Sequence, residues 1–162
     1  MTRGSPLNLC QDTQKIHQES LLRFPTELVQ LRRARRVSQK ALALTLVMDP
    51  SQLSGLERGS RPPPGQGTLA SIAKALSLAS EEQRQLEWAA RHDRCIRSVL
   101  EAASAEDARL VSRVLSTAAV MTAQQRDGLS DYLMRLQSAA QQIHLLTAEK
   151  TSSQPQAKRS MT

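Results

Sequence analysis

Between Pro25 and Ala90, apolar residues recur at helical spacing in short stripes, and residues that start or stop helices bracket each stripe. This punctuation restricts the stretch to a succession of short helices packed on one another. From Thr26 to about Arg36, Leu28 and Leu31 share a face that Ala34 or Arg35 extends, and Pro25 with Thr26 marks the boundary before it. Ser38 can cap a second helix running from Gln39 to Val47, with Leu42, Ala43 and Leu46 inward. Asp49 suits an N-cap and Pro50 a first helical position, so a third helix opens there. It turns Leu53 and Leu56 inward and ends at Gly59, a natural left-handed C-cap. The run from Ser60 to Gly67, with Pro62, Pro63 and Pro64, reads as a loop. Thr68 opens a fourth helix carrying Leu69, Ile72, Ala73 and Leu76. Ser80 with Gln83 resembles a capping box before a fifth helix through Leu86, Ala89 and Ala90.

Helical patterning persists beyond Arg94. Cys95 to Ala103 continues or restarts a helix. Ser104 with Asp107, and Thr122 with Gln125, repeat the capping signal before two further stripes. One stripe contains Leu110, Val111, Val114 and Leu115, and the other Leu129, Tyr132, Leu133, Leu136, Ala140 and Ile143. Residues 1–21 are weakly patterned, with a short helix expected around Ile16, Ser20 and Leu21. From Thr151 the composition turns to Ser, Gln, Pro and Lys, as expected for a disordered basic tail. The aromatics are only Phe24, Trp88 and Tyr132, against abundant leucine and alanine, which favours an all-α fold.

Charge is unevenly placed. The chain carries a formal +7, and residues 23–61 hold eight Lys or Arg against three acids. A concentrated basic segment suits a polyanionic partner, although a solubilising surface would show the same balance. Cys10 and Cys95 lack motif spacing and read as reduced thiols of a cytoplasmic protein. No apolar run approaches membrane-spanning length, so no membrane partner is expected. His17, His92 and His144 are isolated and lack metal-ligand spacing. Neither a phosphate-cradling glycine motif nor a nucleophile elbow is present. An enzyme, a cofactor and a bound metal are therefore not expected. Scarce aromatics also argue against base-stacking modes of single-strand and RNA binding.

The informative constellation is Arg32 in the first helix, Ser38-Gln39 opening the second, and small Ala43 within it. Leu53-Ser54-Gly55-Leu56-Glu57-Arg58-Gly59 closes the third helix, and Arg61-Pro62 follows. Over about Thr26 to Arg91 this set resembles the Xre, or Cro and lambda-repressor, family of helix-turn-helix transcriptional regulators. The resemblance implies a five-helix DNA-binding domain over residues 23–94, preceded by a flexible segment (1–22). A helical dimerisation region (95–149) and the tail (150–162) follow. It implies that the third helix enters the major groove. Asp49, Pro50, Ser51, Gln52 and Gly55 would then face bases or groove. Gln39 and Lys40 would meet the backbone at the start of helix two, Gln39 also bracing the third helix. Arg58, Ser60 and Arg61 would meet phosphates beyond it. Arg32 and Glu57 would form a structural pair inside the domain, so Glu57 is not a catalytic acid.

The sequence departs from the family at Val47, where the turn often carries glycine. A β-branched residue disfavours a left-handed backbone, so a different local turn is expected. Gln52 is the best direct base reader. Asp49 would repel phosphate but could accept from a cytosine amino group, and DNA shape is expected to share in recognition. Arg33, Arg35 and Arg36 form either a solvated face or additional phosphate contacts.

One such module makes few contacts, so a homodimer reading a palindromic operator as a repressor is expected. Leu110, Val114, Leu129, Leu133, Leu136 and Ile143 would hold it together. The alternatives are an antitoxin-type regulator whose C-terminal helices bind a toxin, and a helical adaptor that binds protein only. Activation would require a surface for RNA polymerase, which the sequence does not identify.

Overall fold

The computed structural model describes residues 21–152, with side chains described through residue 143. The segment before residue 21, with Ile16, His17, Ser20 and Cys10, and the tail from residue 153 lie outside the described residues, as does the His144 side chain. Among the described residues are seven helices and no strand. They are α1 (Phe24–Ala34), α2 (Gln39–Thr45), α3 (Pro50–Glu57), α4 (Gln66–Ala75), α5 (Ser80–Ala102), α6 (Ala105–Val120) and α7 (Ala123–Ser152). The chain divides into two compact units, meeting between Ser116 and Thr117.

The first unit is built on one core. Phe24, Leu28 and Leu31 of α1 meet Leu42 and Ala43 of α2, Leu53 and Leu56 of α3, Leu69 and Ile72 of α4, and Leu86, Ala89 and Ala90 of α5. Ala43 is fully buried, as a close approach of α2 and α3 requires. Helix α1 begins at Phe24, two residues before the expected start. Pro25 sits in the first turn, where its missing N–H has no intrahelical partner to lose. The backbone N–H groups of Arg23 and Phe24 donate to the Asp93 carboxylate at 2.8 and 2.9 Å, so α1 is capped from α5.

Three helices end in the same way. Arg36, Val47 and Ser77 follow α1, α2 and α4 with φ of 54°, 52° and 49°. In each case the next residue's N–H reaches back to a carbonyl in the last turn: Val37 to Arg32, Met48 to Ala43, and Leu78 to Ala73. Val37, Met48 and Leu78 pack against the core. This double closure with an apolar residue after the left-handed one is the Schellman arrangement. The expectation that Val47 would turn differently is therefore corrected. Val47 takes the left-handed backbone because the Met48 N–H bond and the burial of Met48 hold it there. Gly59, at φ 72°, ends α3 as expected.

Helix α4 starts at Gln66 instead of Thr68. Extended Gly65 is its N-cap, and its carbonyl accepts from Leu69 N–H at 3.0 Å. Helix α5 is capped by Glu82, whose carboxylate accepts the Ala79 N–H at 2.8 Å. Gln83, expected in that role, donates to Glu87. Helix α5 runs unbroken through residues 94 and 95, where the boundary between modules was expected, because Leu86, Ala89, Ala90 and Ile96 keep one buried face along it. Ser104 and Asp107 cap α6 reciprocally, and Ala108 and Ser112 are its buried positions.

In the second unit, Thr122 and Gln125 cap α7 reciprocally. Leu129 is half-buried, while Tyr132, Leu133, Met134, Leu136 and Ile143 are exposed. Lys150 to Ser152, expected in the tail, belong to α7. No described helix is long and apolar enough to cross a membrane.

Candidate nucleic-acid interface

Helices α2 and α3 meet across the turn from Leu46 to Asp49. Ser38 caps α2 by accepting the Ala41 N–H at 3.1 Å, and Asp49 caps α3 by accepting the Ser51 N–H at 2.7 Å. Hydrogen bonds from Ser51, and more weakly the charge of Arg61, hold the Asp49 carboxyl below the usual carboxylate range. This carboxylate therefore remains charged at the start of α3, where the helix dipole favours it.

One side of α3 is locked into the protein. Glu57 accepts from Arg32 Nε at 2.6 Å and from Arg32 Nη2 at 2.8 Å, a two-pronged pair in which Arg32 also donates to the Val37 carbonyl. The Glu57 hydrogen bonds hold the Arg32 pKa above its ordinary value. Gln39 Nε2 donates to the same carboxylate at 2.9 Å. Gln39, expected to meet a phosphate and to brace α3, thus has its amide nitrogen engaged in the brace.

Pro50, Ser51 and Gln52, in the first turn of α3, are exposed. The side chains of Gln52, Lys40, Arg58, Arg33 and Arg36 are exposed and have no hydrogen-bond partner among the described residues. Gly55, expected to face the groove, is instead buried. A Cβ there would stand 3.0 Å from Arg61 Cγ and Cδ, so the missing side chain lets Arg61 lie across α3. Ser60, exposed as a residue, donates through its hydroxyl to the Gly55 carbonyl at 3.3 Å, and the Arg61 N–H donates to the same oxygen at 3.2 Å. Arg35 is directed inward: its guanidinium bonds the Leu76 carbonyl and, at 2.5 Å, Glu82. It ties α1 to the end of α4 and the start of α5, and it leaves the set of free cations.

Two residues that the sequence reading passed over fix the segment after α3. Arg97 of α5 donates to the carbonyls of Gly59 and Arg61, and Arg94 donates to the Pro64 carbonyl at 2.5 Å. Their spacing of three residues marks a shared helix face. Nothing in that spacing identifies the loop they would meet. A second cluster lies on α5. His92 Nδ1 bonds Asp93 Oδ1 at 2.9 Å, and His92 Nε2 meets Ser112 Oγ of α6 at 3.0 Å. These distances resemble a nucleophile–base–acid series. Both Asp93 oxygens, however, already accept backbone N–H groups at the start of α1, and all three residues are buried. The cluster therefore joins α1, α5 and α6. No group of three His, Cys, Asp or Glu among the described residues could hold a metal ion.

The fold and this surface define an all-helical protein with a helix-turn-helix module. Residues 24–86, under half of the chain, match the family model of a helix-turn-helix domain. No curated protein and no solved structure matches the chain.

Proposed function

We propose that this protein is a sequence-specific regulator of transcription of the Xre, or Cro and lambda-repressor, kind, which lays α3 in the major groove of double-stranded DNA. The two-sidedness of α3 carries this reading. Glu57, Leu53 and Leu56 fasten one side to the protein, while Ser51 and Gln52 stand exposed beside free cations at Lys40 and Arg58. A helix held this way presents a rigid polar edge to base pairs, and its neighbours meet phosphates. Gln52 is the direct reader. Asp49, capping α3, meets the bases only through its exposed edge. Arg61, laid over Gly55, sits closer to the groove than a residue beyond the helix end would.

The exposed stripe of α7 supports a homodimer. Leu129, Leu133, Leu136, Ala140 and Ile143 alternate at four- and three-residue spacing, the pattern of a helix pair. Two copies would read half-sites about one helical turn apart, and occupancy of such an operator would repress. Selection of bound duplexes from a random pool tests the proposal. A palindromic motif whose binding weakens steeply with salt is the expected result. Failure of any duplex to enrich would favour the adaptor that binds protein only.

A further inference from the structure

We infer that the first unit carries a second site, separate from α3, that binds a small organic anion bearing a carboxylate or phosphate group. A half-open cavity of about 630 Å³ lies where the start of α1, the middle of α5 and the α6 segment around Ser112 converge. That is the size of pockets that hold metabolite-sized ligands. Three guanidinium groups line it, those of Arg23, Arg109 and Arg113, against the single carboxylate of Glu27. Arg113 is exposed and has no side-chain partner among the described residues. Arg109 pairs only loosely with Glu106, at 3.3 Å. Arg23 is held in place: it lies over the Trp88 ring at 5.8 Å from the centroid and donates to Ser116 Oγ at 3.0 Å. The opposite wall is equally fixed, because Ser112 is bonded to buried His92.

The cavity thus combines a rigid floor with two arginines whose hydrogen-bonding capacity is largely unused, which is the composition that recognises an acid group. The acid would meet Arg113 and Arg109. An unsaturated or apolar body would lie against the Arg23–Trp88 stack and the lining residues Leu21 and Leu22. Helix α5 also carries Arg94 and Arg97, which hold the segment after α3, so the cavity and the proposed DNA surface share one helix. The inference of binding does not depend on the DNA reading.

Trp88 is the only tryptophan of the chain and lines the cavity, so its fluorescence reports occupancy directly. The full-length protein is titrated with benzoate and with phenyl phosphate, which separate the carboxylate and phosphate arms, and with benzyl alcohol as the neutral counterpart. The expected result is a saturable change with at least one anion and none with the alcohol. Arg113→Ala should weaken that binding by about ten-fold or more, as loss of a charge-assisted bond does, and Arg113→Lys should restore part of it. Arg113 is exposed, so its replacement leaves the fold intact. Absence of saturable change with either anion, an equal response to benzyl alcohol, or indifference to Arg113→Ala would each overturn the site.

Discussion

Val47 shows how a single residue can be held against its own preference. Its backbone is left-handed, its side chain is 95% exposed, and the Schellman closure around it engages only backbone atoms and Met48. A β-branched residue in that region carries strain of about 1–3 kcal/mol, with little burial here to offset it. Val47→Gly should therefore stabilise the first unit by about 1 kcal/mol, read as a higher denaturant midpoint with an unchanged slope. A lower midpoint would mean that the exposed side chain contributes more than the backbone loses. Gln52 makes the complementary case. Its side chain is exposed and has no partner within the described residues, so Gln52→Ala should leave stability within about 0.5 kcal/mol of the parent. In duplex selection it should relax preference at one base pair, with discrimination falling by about 1–3 kcal/mol. An unchanged preference would remove Gln52 from the reading surface.

At the scale of elements, capping decides where helices begin, and its sources were legible to different degrees. Ser38, Asp49, Ser104 with Asp107, and Thr122 with Gln125 cap from within their own neighbourhoods, and local sequence sufficed to identify them. The cap of α1 comes from Asp93, about seventy residues away, and Arg94 and Arg97 reach a loop 30 to 38 residues before them. No periodicity encodes which chain segment a long side chain will meet. The apolar stripes of α1 to α5 were legible because burial follows helical spacing; the polar ties between elements were not. Asp93→Ala would leave the Arg23 and Phe24 N–H groups and His92 Nδ1 without their buried acceptor, at a cost of about 3–5 kcal/mol. A loss no larger than that of a surface change would show that α1 does not depend on this cap. Acid should act on the local caps in a defined direction. The hydrogen bond from the Ala79 N–H, and then that from Arg35, holds Glu82 below its ordinary range, and bonds from Ser104 do the same for Asp107. Because the folded pKa values lie below the unfolded ones, this stabilisation is complete above the unfolded values, near pH 4. It is lost as pH falls through the depressed folded values. Glu82→Gln should therefore be less stable than the parent at neutral pH, with the gap closing in acid. A gap that stays constant across an acid titration would refute the capping role.

For the molecule as a whole, the division at Ser116–Thr117 separates a unit with a core from one that holds the end of α6 and α7, on which Leu133 and Leu136 are exposed. A lone helix gains most of its stability from packing an apolar stripe against something. Exposed Leu133 and Leu136, with half-buried Leu129, are therefore the residues whose burial a second copy would complete. Leu110, exposed on α6, and half-buried Val114 belong to the first unit and could extend that contact only from their own side. Truncation after Met121 removes α7 and leaves every residue of the α1–α5 core in place. The truncated chain should sediment as a monomer while the full chain sediments as a dimer, and its thermal transition should persist. Binding to a single half-site should survive, because Lys40, Gln52, Arg58 and Arg61 are untouched. Binding to a full palindrome should lose the advantage that joining two modules confers, about a hundred-fold or more for well-matched spacing. A truncated chain that remains dimeric would move the interface onto the first unit, with Leu110 and Val114 as its first candidates. Simultaneous loss of half-site binding would show that α7 supports the DNA surface itself and does not merely pair two copies of it.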